Sequence, residues 1–337
     1  MRLKTGKVDK ILGRETSASA EMLKNTISTD ILNSRCETFK LGDLNLILPG
    51  MSSVEIKDSN SVYVSTVPFN KSAGNGILES LETYLYDIGK LDCVLISGGI
   101  DSSLLAAVAS KIYPKLNLIT VGFPGSEDLE YSKALAEDIG KDVIEVVLTE
   151  EKVSRIIKKL KELDLCTYNV IMGVIEYAAI EAGTDREFRT FASGLGSDEL
   201  FFGFDIYSRM PHETMEETRN ERLYYAPAVD LIRIKKISER LRARVYLPYL
   251  DDGIASYALS NVHPGTETGG VKFIKSKKYS LYNKSLLRFL GEQLGLSEQI
   301  TLRKKKAMQY GSGLLRSLRT SSKKTGFKNV GDFIKNI

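Results

Sequence analysis

Cysteine, histidine and long apolar runs are scarce in this chain, and each scarcity removes a class of chemistry. The three cysteines, Cys36, Cys93 and Cys166, stand far apart with no paired spacing, which indicates neither a disulfide framework nor a zinc site. Each reads as a buried free thiol. The two histidines, His212 and His263, lie in no suggestive neighbourhood, so imidazole acid–base catalysis and a His-rich metal centre are not expected. No apolar run approaches the roughly 20 residues that a membrane span needs, and the opening Met1-Arg2-Leu3-Lys4 lacks the apolar core of a secretory signal. The expectation is a cytoplasmic protein without membrane contact, whose chemistry rests on carboxylates, lysines and bound metal.

What is present points to a sizeable globular protein. A chain of 337 residues that is 42% hydrophobic can bury a substantial core and is expected to form two lobes rather than one. The net charge of +4 is unevenly placed: from Lys272 to the end, basic residues such as Lys284, Arg303 to Lys306, Arg316 and Arg319 greatly outnumber acids. Such a run suits a polyanionic substrate or nucleic acid. No nucleic-acid-binding motif accompanies it, which makes nucleic acid the weaker expectation.

Local patterns divide the chain into three. Residues 1–75 read as a small β-rich segment, with a short helix around Ala20 to Leu32 and short apolar runs such as Leu44 to Leu48 and Val62 to Val67. A Gly74-Asn75-Gly76 turn then opens residues 76–320, where strands alternate with helices: an apolar run to Ile96, a helix over Leu104–Ile112, a strand over Leu116–Phe123, a helix over Glu130–Ile139 and a strand over Asp142–Leu148. That alternation predicts an α/β fold with a parallel sheet flanked by helices, a small β-rich N-terminal segment and a helical C-terminal region. Ligands of such sheets bind at the carboxyl ends of the strands. Residues 321–337 read as a tail.

Two strand ends carry chemistry. At the first, Val94-Leu95-Ile96 empties into Ser97-Gly98-Gly99-Ile100-Asp101-Ser102-Ser103. Glycines let backbone N–H groups face an anion, the following helix aims its positive end at the same place, and Ser97, Ser102 and Ser103 add hydroxyls. The Gly-Lys-Ser/Thr ending of a Walker loop and the three spaced glycines of a dinucleotide fingerprint are both missing. At the second, Ser193-Gly194-Leu195-Gly196-Ser197-Asp198-Glu199 again opens a strand into glycines, a hydroxyl and acids before a helix that Ser197 is placed to cap. Asp101 and Asp198, facing each other from neighbouring loops, could share a Mg²⁺ ion. A third strand end, Val121-Gly122-Phe123, has a glycine that permits close approach of an adenine or ribose.

The loop at Ser97 resembles the Ser-Gly-Gly-x-Asp-Ser loop of the ATP pyrophosphatases, which cleave ATP between the α and β phosphates. With the second loop, with Val121-Gly122-Phe123 and Asp128, with Arg244 to Asp251 (similar to an Arg-x-Pro-Phe-Leu-Asp segment) and with Arg303-x-Lys305 before Gly311-x-Gly313, it resembles the synthetase domain of the asparagine synthetase family and its β-lactam synthetase relatives. The resemblance spans about Leu78 to Gly313. It implies an adenine nucleotide alpha hydrolase-like fold and a two-step ligation: a carboxylate such as aspartate attacks the α-phosphate, pyrophosphate leaves, and ammonia displaces AMP to give an amide. It implies ATP and Mg²⁺ as cofactors, with Ile96, Ser97, Gly98, Gly99, Asp101, Ser102, Ser103, Val121, Gly122, Ser193 and Gly194 at the nucleotide. Asp101 and Asp198 would take the metal, and Lys305, Asp198 and Asp101 would be catalytic.

The chain departs from the family pattern twice. Glutamine-hydrolysing members use a cysteine exposed after Met removal, whereas position 2 is Arg2 and the leader is short, so ammonia is expected from solution or from a separate glutaminase. The family's Gly-Glu-Gly-Ser-Asp-Glu has Leu195 at its first Glu, which leaves the acceptor carboxylate open. Two alternatives are an enzyme of the same loop class that adenylates RNA or another substrate, and a degenerate ATP-binding protein without turnover. The remaining partner expectation is a second copy of the chain in a homodimer.

Overall fold

The computed structural model describes residues 37–41, 44–48, 53–58, 61–65, 71–226, 230–264, 270–274, 277–281 and 283–337. The helix expected at Ala20 to Leu32 and the thiol of Cys36 lie outside them. Before residue 71 the chain forms four strands, β1 (Glu37–Leu41), β2 (Leu44–Leu48), β3 (Ser53–Asp58) and β4 (Ser61–Ser65). Among the described residues the first two pair with each other, while β3 and β4 join a later hairpin in the antiparallel order β11-β10-β4-β3. Strands from before residue 75 and from residues 270–281 thus share one sheet.

From residue 71 the order is α1 (Lys71–Asp87), β5 (Cys93–Leu95), α2 (Ile100–Ile112), β6 (Asn117–Gly122), α3 (Glu127–Ile139), β7 (Val143–Val147), α4 (Glu150–Lys161), α5 (Thr167–Thr184), β8 (Thr190–Ser193) and α6 (Ser197–Leu200). There follow α7 (His212–Ala226), α8 (Ile232–Arg240), β9 (Arg244–Tyr246), α9 (Asp252–Asn261), the hairpin β10 (Gly270–Ile274) and β11 (Lys277–Leu281), α10 (Ser285–Gln293), α11 (Glu298–Thr301), α12 (Met308–Gly311), α13 (Leu314–Lys324) and α14 (Val330–Asn336). None of the described helices is long and apolar enough to cross a membrane.

The central sheet has the order β7-β6-β5-β8-β9 with every neighbouring pair parallel. The expected α/β class is what the chain adopts. Because side chains alternate across a strand, adjacent residues enter opposite cores: Val94, Leu118 and Ala192 pack with Leu81 of α1, Leu104 of α2 and Leu287 of α10, whereas Cys93, Ile119 and Phe191 pack with Tyr177 of α5, Ile237 of α8 and Leu318 of α13. Strand order reverses at β5: the chain moves outward to β6 and β7 on one side, then returns to β8 and β9 on the other. The crevice between the carboxyl ends of β5 and β8 is the place where such sheets bind ligands.

Two local readings are corrected. Gly74-Asn75-Gly76 is no turn but lies inside α1; a Cβ at Gly76 would come within 2.1 Å of the Tyr257 ring on α9, and one at Gly74 within 3.0 Å of Leu290 on α10. The glycines mark close helix packing, which reads in sequence like a break. Arg244 to Tyr246, where the sequence pattern predicts no strand, forms the edge strand β9 against β8. The helix α13 buries Leu314 and Leu318 and exposes its basic residues.

Candidate active site

The loop after β5 is shaped by two glycines and three serines. Gly98 has φ +68°, and a Cβ there would lie 2.4 Å from Cβ of Tyr131 and 2.6 Å from its backbone carbon. Both the left-handed conformation and the close approach of α3 require glycine. Ser97 N donates to Ser102 Oγ at 3.2 Å, and Ser102 Oγ donates to Gly99 O at 3.2 Å, which closes the loop on itself. The helix α2 that follows starts on Gly99 without a side-chain cap, so its first-turn N–H groups and positive dipole end are presented at the strand end. Ile96 is buried and donates to Ile119 O of β6; the Ser103 hydroxyl is buried with no partner among the described residues.

The loop after β8 sits directly beside the first. A Cβ at Gly194 would be 3.1 Å from Ser102 N, and Leu95 and Ser193 are in register across β5 and β8. Ser193 Oγ accepts from Leu195 N at 3.4 Å. The short α6 is capped by Gly196 at φ +94°, not by Ser197. The Ser197 hydroxyl instead donates to Asp101 Oδ1 at 2.7 Å and so ties the two loops together. Val121 and Gly122 end β6 on the other side of β5, where a Cβ on Gly122 would strike Ser126 Oγ at 2.1 Å.

The two expected carboxylates are held by two lysines, one of which the sequence did not single out. Lys305 Nζ bonds both carboxylate oxygens of Asp198 and stands 4.0 Å from Asp101 Oδ2. Lys284 Nζ reaches Asp101 Oδ1 at 2.5 Å, Asp198 Oδ1 at 2.7 Å and Ser197 Oγ at 3.0 Å. Lys284 is buried and adopts φ +61° at the cap of α10, a conformation uncommon outside glycine. A Cβ at Gly203 would meet Asp198 Oδ1 at 2.1 Å and Lys284 Cε at 2.2 Å, so that glycine makes room for the pair.

Electrostatics follow from this packing. Burial opposes the Asp198 carboxylate, but Lys284 and Lys305 outweigh it and hold its pKa well below the usual range. Burial likewise opposes the Lys305 ammonium, and Asp198 with Asp101 reverses that, leaving it more firmly protonated than an ordinary lysine. Next to Asp198, Glu199 is 6% exposed; burial, reinforced by Asp198 and Asp230, pushes its carboxyl up to about 7.

Arg303 fastens the lysine loop to the rest. It donates to Ser97 O and, at 2.6 Å, to Asp128 Oδ1, and its guanidinium lies 4.3 Å from the Tyr131 ring centre. Asp128 is therefore a buried partner of Arg303; burial pushes its carboxyl up to about 6 even though Arg303 pulls it down. Gly311 packs on the same carboxylate, where a Cβ would approach Oδ1 to 2.1 Å. Leu195 is half-buried and packs, like Val245 and Leu247, against the apolar core. Lys306 pairs with Glu127 at the surface.

Among the described residues no group of three His, Cys, Asp or Glu side chains could hold a metal alone. Asp101 and Asp198 nevertheless fit Mg²⁺, which commonly takes one or two carboxylates and completes its shell with phosphate oxygens and water. Their convergence on one lysine nitrogen shows that a single cation can meet both.

Residues 92–247 match the family model described as asparagine synthase. They form a domain of the PP-loop, asparagine-synthetase-like superfamily, and such a domain implies use of ATP and Mg²⁺. The match includes both loops and β9; Lys284 and Lys305 lie beyond it. The Methanocaldococcus jannaschii protein named "Putative asparagine synthetase (glutamine-hydrolyzing) 1" is 30% identical over 272 residues, which is 72% of this chain and 50% of that protein. The glutamine-hydrolyzing asparagine synthetase of Homo sapiens is 30% identical over 179 residues, 49% of this chain and 31% of the human protein. The chain thus spans half or less of the length of these relatives. Among solved structures, the NMN synthetase of Francisella tularensis aligns over 79% of this chain and 86% of its own, at 15% identity and a TM-score of 0.29.

Proposed function

We propose that this chain is an ATP-dependent amide ligase that forms AMP and pyrophosphate, activating a small carboxylate such as aspartate for attack by ammonia. The observation that carries the reading is the clamp at the switch point: Asp101 and Asp198, from loops at adjacent strand ends, gripped by Lys284 and Lys305. Residues 76–320 are read as the ATP-binding unit.

In the first step an oxygen of the acid attacks the α-phosphorus, the bond to the bridging oxygen breaks, and pyrophosphate leaves with that electron pair. The N–H groups of the loop at Ser97 and the start of α2 receive phosphate oxygens, and preorganised donors of this kind stabilise charge as it develops. Mg²⁺, held by Asp101 and Asp198, would neutralise charge on the polyphosphate. Lys305, firmly protonated, serves as a fixed positive charge for the leaving group and not as a base; Lys284 gives a second. In the next step ammonia forms the C–N bond, AMP departs, and one proton is released. Leu195 offers no acceptor for that proton, so acid selection and amine handling rest on other groups.

The test is to incubate the protein with ATP, Mg²⁺, ammonium and a panel of acids and to follow pyrophosphate. Release that depends on aspartate or another acid, with the amide formed, is the expected result. Release only when RNA is added would replace the ligase by an RNA-adenylating enzyme, and ATP binding with no release under any condition would leave a non-catalytic nucleotide-binding protein.

A further inference from the structure

One oxygen of a carboxylate beside the clamp lacks a partner. Glu199 is 6% exposed, and among the described residues its Oε2 accepts no hydrogen bond. A buried carboxylate left in this state is costly unless something present during function satisfies it.

The cations around it are turned to other partners: Arg219 gives its terminal nitrogens to Val262 O and Leu259 O, and the Arg222 guanidinium lies 4.1 Å from the Phe204 ring centre. An ammonium has three donors, and those of Lys284 go to Asp101, Asp198 and Ser197. Lys305 is spent on Asp198, with Asp101 close by. Arg233, fully buried, gives Nε and one terminal nitrogen to Glu176 at 2.8 and 2.9 Å, and the other to Asn169 at 3.0 Å and Asp230 at 2.7 Å. This second network carries two carboxylates against one guanidinium, and Asp230 acts on Glu199 along with Asp198. Neither lysine of the clamp nor Arg233 thus bonds Glu199 Oε2, and the Arg233 network beside it carries one carboxylate in excess.

Resting on the ligase reading above, we propose that Glu199 is an amine-binding residue whose unpartnered oxygen receives an ammonium group during the reaction. A small cation with several N–H donors meets each requirement: it neutralises the excess charge, satisfies Oε2 and fits where little solvent enters. It also supplies, four residues after Leu195 and on the same loop-to-helix junction, the carboxylate that Leu195 cannot provide. The ammonium group has two sources in this chemistry: the protonated form of the incoming ammonia, which passes its proton to the Glu199 carboxylate before attacking, and the α-ammonium of an amino-acid substrate.

The experiment compares the wild-type protein with Glu199→Gln, which keeps shape and removes charge. ATP–pyrophosphate exchange driven by aspartate or by succinate reads adenylation without any amine nucleophile; amide formation at varied ammonium chloride reads the second step. If Glu199 receives the nucleophile, the variant keeps its exchange rate and its KM for ATP while KM for ammonium rises about tenfold or more. If it receives the α-ammonium, KM for aspartate in exchange rises by that factor and KM for succinate does not. In either case Glu199→Asp recovers part of the loss. Unchanged KM values for ammonium and aspartate, or a fall in kcat alone, would overturn the assignment while leaving the ligase intact. If the wild-type protein catalyses no exchange with any acid, the ligase reading falls and this inference with it.

Discussion

At the scale of single residues, Gly98 and Glu199 show how one position can be fixed by geometry or by charge. Alanine at Gly98 would have to hold φ near +68° with its Cβ inside the van der Waals shell of the Tyr131 backbone, and backbone cannot step aside as a flexible side chain can. Gly98→Ala is expected to abolish ATP binding measured by calorimetry and to lower stability by about 1–3 kcal/mol. Glu199 makes an opposite prediction. Its carboxyl is pushed up to about 7 in the fold, above its value of about 4.3 in an unfolded chain. The protonated form is therefore the one that the ligand-free fold favours, and stability from this group is full below pH about 4 and lost as pH rises through about 7. Glu199→Gln should raise the melting temperature at pH 8, by up to about 3 kcal/mol of stability, and change it little at pH 4.5. Parallel melting-temperature curves for the two proteins would show that Glu199 is already satisfied.

At the scale of elements, the loop from Arg303 to Gly313 is joined to the first glycine loop and to α3 by one guanidinium. Arg303 contacts Ser97 O, Asp128 and the face of Tyr131 together, a planar fork that lysine cannot reproduce. Arg303→Lys should cost about 3 kcal/mol in chemical denaturation, the usual result of breaking a buried ion pair. It should also speed hydrogen exchange across residues 303–313. Unaltered exchange in that loop would mean that α12 and α13 hold it without the arginine. Sequence patterns revealed this loop through Arg303-x-Lys305 and its glycines, but not the purpose of the arginine, because Ser97 and Asp128 lie 206 and 175 residues away. Lys284 escaped notice for the same reason: its nearest carboxylate partner is 183 residues distant. The local cue, a lysine and an arginine on adjacent turns of an amphipathic helix, describes surface helices equally well. Glycines misled in the other direction at α1, where a tight helix contact and a turn leave the same trace in sequence.

At the scale of the whole molecule, the parallel sheet and both glycine loops were legible because each depends on short-range pattern: apolar runs, small residues and an acid before helical spacing resumes. The edge strand β9 was not, since three residues after a basic helix carry no alternation long enough to read. What the fold adds is adjacency. The reversal of strand order at β5 puts Asp101 beside Asp198, and the chain after β11 returns to the same crevice with Lys284 and then Lys305. If this assembly cleaves ATP between its α and β phosphates, ³¹P NMR of the nucleotide products will show it. With ATP, Mg²⁺, ammonium and an accepted acid, AMP and pyrophosphate should appear in equal amounts, and Asp101→Asn or Lys305→Ala should slow their formation by about 100-fold or more. ADP and inorganic phosphate as the products, or AMP formed at an undiminished rate by both variants, would contradict it.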